Sequence, residues 1–168
     1  MPAGRTYTPL ARTTLTSSAA SVTFSSISGS YTDLVLVGAV AGLSTTIDAW
    51  IRVGNGSIDT GTNYSYTVIG GNGTTAGSGR GTNVSKVYWN FMNSITNASN
   101  SVIINFMNYS NTTTNKSFLT RGAYSTETTA LVGLWRNTSA INTIQLGLDS
   151  TATFSSGSTF TLYGILAA

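Results

Sequence analysis

An all-β sandwich of the jelly-roll type is the fold this sequence predicts, and three observations predict it. Short runs of Val, Ile, Thr, Phe and Tyr recur along the chain, each closed by Gly, Asn or Ser. Leucine, alanine, glutamate and lysine never recur at helical spacing over a useful length, and Glu127 is the one glutamate. No repeat of fixed period is visible, which disfavours a propeller or a β-helix. With 168 residues the chain reads as one domain. A domain of this size buries about 70% of its unfolded surface and needs no disulfide or metal to hold it.

The strands follow in order. Leu15-Thr16 and Ser21–Phe24 lead into a Ser-Gly-Ser turn at 28–30. Asp33–Val40 is apolar on both faces, as a central strand is. Ile47–Val53 alternates, with Ile47, Ala49, Ile51 and Val53 on one side and Asp48, Trp50 and Arg52 on the other. A glycine-rich loop over residues 54–63 precedes a strand at Tyr64–Ile69, and Gly70–Gly81 reads as a second loop because it holds almost no apolar residue. Val84–Phe91, Ser101–Tyr109, Ser117–Tyr124, Thr129–Trp135, Asn142–Leu148 and Ser158–Leu166 complete the expected set. Residues 1–14 stand apart, with two prolines, two arginines and no alternation. They predict an extended N-terminal arm ahead of a sandwich over residues 15–168, ordered by a neighbouring subunit or by docking on its own sheet.

The chemistry is narrowed by what is missing. There is no histidine and no cysteine, and charged residues make up 8% of the chain. The usual general base, thiol nucleophile and soft metal ligands are therefore absent, and a Ser-His-Asp arrangement is impossible. Five carboxylates (Asp33, Asp48, Asp59, Glu127, Asp149) are spread along the chain with no pair marked for acid–base work. The loop Gly54–Asn63 carries one carboxylate, too few for a tight calcium loop, and reads as a turn instead. Eight scattered basic residues give a net charge of +3 with no basic stripe, which argues against nucleic acid. The longest apolar run, Leu34–Leu43, is about half what a membrane helix needs. The sequence predicts no enzyme, no cofactor and no bound metal. Among the aromatic residues, Trp50 with Arg52, and Trp135, are the candidates for stacking on a glycan, weighed against packing in the core or an interface.

The stretch from Val22 to Val37 (VTFSSISGSYTDLVLV), together with Asp59–Ser65 (DTGTNYS) and Phe154–Ile165 (FSSGSTFTLYGI), resembles small virion proteins of tailed bacteriophages, cyanophages above all. The likeness spans the chain from about Thr13 and rests on strand and turn signatures. It implies a virion structural protein, either a small stand-alone component or the distal domain of a fibre. The chain shows no shaft or coiled-coil segment upstream, which favours a capsid decoration (cement) protein. The expected partners are the major capsid protein and copies of the chain itself, as a homotrimer on the capsid surface. Arg5, Tyr7, Leu10 and Arg12 of the arm are the expected intersubunit or capsid contacts. The alternative is a fibre tip that recognises a host surface glycan.

Overall fold

β-branched and aromatic side chains alternate with small polar ones over most of this chain, and a pleated backbone turns each set to its own face. The computed structural model describes residues 6–45, 47–89, 100–124 and 127–166. Its strands are β1 (Tyr7–Thr14), β2 (Ser21–Phe24), β3 (Asp33–Val40), β4 (Ala49–Asn55), β5 (Ser57–Ile58), β6 (Tyr64–Gly71), β7 (Ala76–Val84), β8 (Val87–Tyr88), β9 (Asn100–Phe106), β10 (Lys116–Tyr124), β11 (Glu127–Trp135), β12 (Thr143–Leu148) and β13 (Thr159–Ile165). They form two antiparallel sheets packed as a sandwich of the jelly-roll class. The larger has eight strands in the order β1-β13-β3-β9-β10-β11-β6-β7. The smaller runs β2-β12-β4-β5, with β8 also paired to β4.

The core lies between the sheets. Leu34, Leu36, Ile104, Phe106, Phe118 and Leu131 enter it from the large sheet, and Val22, Phe24, Ile51, Val53, Ile144 and Leu146 from the small one. Aromatic rings meet at angles within it, Phe106 on Phe118 at 5.4 Å and Phe154 on Phe160 at 5.2 Å between centroids.

Three segments differ from the sequence reading. The stretch 7–14 of the expected arm is the edge strand β1, paired with β13 from Tyr7↔Ile165 to Thr14↔Thr159, so the sandwich begins before residue 15. Leu10 packs against the core and anchors it, and a register shift lies between Pro9 and Ala11. The expected loop Gly70–Gly81 is the hairpin of β6 and β7. Gly77, Gly79 and Gly81 sit on the inner side of β7, where Tyr66 crosses: a Cβ on Gly81 would stand 2.4 Å from Tyr66 Cε1. The expected strand Val84–Phe91 shrinks to β8 within the described residues, and its last two positions lie outside them.

Candidate functional site

Cross-strand partners in an antiparallel pair point to the same side of the sheet. The registers therefore define the outer face of the large sheet as rows that cross all eight strands. One row runs Pro9, Tyr163, Val35, Asn105, Leu119, Val132, Thr67, Arg80, and the next runs Arg12, Thr161, Val37, Ile103, Arg121, Ala130, Ile69, Ser78. At the usual strand spacing, eight strands span about 34 Å, and with strands of this length the face covers on the order of 800 Å². That matches the roughly 800 Å² each partner contributes to a standard protein interface.

No second layer covers this face among the described residues. Ile69 is 59% exposed and Val132 is 53% exposed. Three arginines, Arg12, Arg80 and Arg121, interrupt the apolar and hydroxyl side chains, and neither row holds a carboxylate. Arg121 donates to Asn105 Oδ1 at 3.2 Å. Asp33, at the margin, accepts the Asn108 N–H at 2.6 Å. The face is thus a broad, largely apolar surface whose two central rows carry three cations and no carboxylate, with Asp33 at its margin.

The outer face of the small sheet is built differently. Trp50 lies flat on Gly147, where a Cβ would fall 2.3 Å from the indole Cζ2. The Arg52 guanidinium covers the ring at 4.6 Å from its centroid and is held by a bond from Nε to the Ser85 carbonyl at 3.0 Å. Lys86 lies over the same ring at 5.8 Å and pairs with Asp149 at 2.5 Å, and the Tyr88 hydroxyl donates to the other Asp149 oxygen at 3.0 Å. Burial, then the neighbouring Asp149, pushes the Tyr88 hydroxyl well above its ordinary pKa.

At one end of the sandwich, Asp59 accepts the Trp135 Nε1–H at 2.7 Å, the Asn63 side-chain amide at 2.8 Å and the Gly61 N–H at 2.8 Å. Burial works against the charge, but these three bonds outweigh it and hold the Asp59 carboxyl below its usual range. A carboxylate holding three internal donors closes a turn. Among the described residues no group of three or more His, Cys, Asp or Glu side chains is placed to hold a metal ion. Lys116 is buried with its ammonium donating to the carbonyls of Thr114 at 2.6 Å and Thr138 at 2.9 Å, and burial lowers its pKa.

The residues singled out from sequence fall in three places. Arg5 lies outside the described residues. Tyr7 is exposed and meets Tyr163 edge-on at 6.0 Å, Arg12 is on the outer face of the large sheet, and Leu10 turns inward. Trp50 and Trp135, the rings considered for a glycan, are 8% and 1% exposed, so neither presents a face on which a sugar ring can stack. Arg52 is spent on covering Trp50. Arg80, Arg121, Ile69, Ile103 and Val132 were not singled out. For Val132 a signal was present in the outward positions Ala130, Val132 and Leu134 of β11, which are apolar where a solvated strand would be polar.

No protein-family model matches the chain, and no curated protein matches it. Among solved structures it is similar to Scytalido-glutamic peptidase with a peptide-based transition-state analogue, at 9% identity and a TM-score of 0.24, covering 90% of this chain and 66% of that one. It is also similar to the cowpea mosaic virus top component, naturally occurring empty particles, at 12% identity and a TM-score of 0.21, covering 99% of this chain and 90% of that one. Both likenesses are distant. No helix among the described residues is long and apolar enough to cross a membrane.

Proposed function

We propose that this protein is a non-enzymatic structural component of a bacteriophage virion, a decoration protein that docks on the assembled head through the outer face of its eight-stranded sheet. The observation that carries the reading is that face: an apolar surface of interface size with Arg12, Arg80 and Arg121 unanswered by any carboxylate on its two rows. The partner that fits it is a protein surface offering apolar side chains and carboxylates, repeated around a shell. The likeness of residues 22–37, 59–65 and 154–165 to phage virion proteins supports the setting. Binding the assembled shell and not its loose subunits stabilises the shell by mass action, so cementing needs no chemistry. Contacts from Tyr7 and Arg12 belong to the same face, delivered by β1 as part of the sheet.

The test is copy number in purified virions by quantitative mass spectrometry against the major capsid protein, paired with a Val132→Glu variant. A copy number at a fixed fraction of the capsid subunit, with the variant folded but displaced from particles, is the expected result. A handful of copies per particle would move the protein to a fibre, and its absence from particles would refute both virion roles.

A further inference from the structure

The chain contains two Asn-Gly pairs, Asn55-Gly56 and Asn72-Gly73, and the fold treats them oppositely. An asparagine followed by glycine is open to attack by the glycine's backbone nitrogen, because no Cβ shields that nitrogen and glycine reaches backbone angles that other residues avoid. At Asn55 both reacting nitrogens are occupied. The Gly56 N–H donates to Asn142 Oδ1 at 2.6 Å, and Asn55 Nδ2 donates to the Ala140 carbonyl at 2.8 Å. Asn142 is itself fixed, its N–H bonded to the Gly54 carbonyl at 3.0 Å and its carbonyl to the Ile27 N–H at 3.0 Å.

Asn72 sits at the exposed tip of the β6–β7 hairpin, where neither nitrogen has a hydrogen-bond partner among the described residues. The bonds there fall on the oxygen instead. Asn72 Oδ1 accepts the N–H groups of Thr74 at 3.0 Å and Thr75 at 2.8 Å. Those donors draw electron density from the side-chain carbonyl carbon and so favour attack on it. Gly73 has φ +84°, and nothing lies within 4 Å of the place its Cβ would occupy.

We propose that Asn72 is a site of spontaneous deamidation in the folded protein, while Asn55 is locked against the same reaction. The Gly73 nitrogen gives up its proton to water or hydroxide and bonds to Asn72 Cγ. The Cγ–Nδ2 bond breaks, and Nδ2 takes a proton from solvent and departs as ammonia, leaving a five-membered succinimide. Water then opens the ring at either carbonyl, giving aspartate or isoaspartate. A neutral amide becomes a carboxylate at the tip of the strand that carries Arg80. The isoaspartate product also adds a methylene to the backbone of a turn now closed by the Asn72 N–H to the Thr75 carbonyl at 3.1 Å.

The experiment is incubation of the whole folded protein at mildly alkaline pH, with peptide mapping over time for aspartate and isoaspartate at both sites, alongside the same chain unfolded in urea. Two net hydrogen bonds must open at Asn55, so in the folded protein Asn72 should react roughly tenfold faster or more. In urea the two rates should converge. Asn142→Ala frees the Gly56 nitrogen and should speed Asn55 alone, with a thermal melt reporting that the fold persists. Equal rates at the two sites in the folded protein would overturn the proposal. So would an Asn72 that folding slows as strongly as it slows Asn55.

Discussion

The two sheets turn very different outer faces outward. On the five-stranded sheet the charges and rings described on the outer face partner one another: Arg52 covers Trp50, Lys86 pairs with Asp149, and Tyr88 donates to the same carboxylate. On the eight-stranded sheet the cations are spread over apolar rows without a carboxylate between them. Charge is scarce in this chain: Asp149 serves the outer face of the small sheet and Asp59 one end of the sandwich, while Asp33 stands at the margin of the large face and Glu127 is buried on β11. A face that satisfies itself has little to gain from a partner. The other would gain both apolar burial and charge pairing, so the asymmetry agrees with the docking side proposed above.

The comparison can be broken from either face. The largest effect on stability is expected from Gly147→Val, which drives a side chain into the indole of Trp50 and should cost about 3 kcal/mol or prevent folding, read from urea unfolding. Trp135→Phe removes the Nε1–H that Asp59 accepts and should cost about 2 kcal/mol, with the Asp59 carboxyl moving back up towards its ordinary range by NMR titration. Asp149→Asn separates Lys86 and Tyr88 from their acceptor's charge. On a partly exposed face it should cost about 1 kcal/mol or less and matter less at high salt. Val132→Glu should change stability least, by about 0.5 kcal/mol, while removing most binding to particles in a sedimentation assay. If Val132→Glu unfolded the protein and Gly147→Val spared it, the assignment of the faces would be reversed.

The pH dependence reports the buried and half-buried hydroxyls of the sandwich. Burial raises the hydroxyls of Tyr64, Tyr66, Tyr88 and Tyr109 above their ordinary value of 10.0. A raised pKa means that the unfolded chain loses its proton first, so the stability these groups carry is complete below pH 10 and drains away as pH rises beyond it. Lys116 has the opposite sign: its lowered pKa makes stability rise with pH up to its ordinary value of 10.5. Four hydroxyls against one ammonium give a net loss above about pH 10, measurable as a falling melting temperature. Asp59, held below 3.8, gives the acid limb, where stability is lost as pH falls through its folded value.

Much of the fold was legible because Val, Ile, Phe and Tyr write their own alternation. Asp33–Val40 was found to the residue, since a run of eight, valine-rich and preceded by a Ser-Gly-Ser turn, has the length and composition of a strand. Strand β7 was not, because its inner positions are Gly77, Gly79 and Gly81. A period of two is there, but it is written in a residue that depresses strand propensity. It becomes intelligible only when the Tyr66 ring is seen to occupy the space. The same blindness hid Arg80, which a loop reading cannot place on a face. Residues 7–14 read as an extended arm, held either by a neighbouring subunit or by its own sheet, and the pairing to β13 is the second of these; the two prolines and the lack of alternation hid the strand itself. Trp50 was placed on the outer side of β4 correctly, but its burial comes from Arg52 and from Gly147, a residue 97 positions away. A single sequence does not display such a partner.

Strand β13 lies between β1 and β3, so the last of the described strands joins the first to the rest of the large sheet. On the ribosome, β1 has no partner until β13 emerges, and the rows that carry Arg12 and Tyr163 do not exist as rows before then. Closing that gap brings together segments about 150 residues apart, a long loop whose ordering comes late and slowly. The outer face of the large sheet, on which the proposed docking rests, is therefore complete only in chains whose synthesis has passed β13.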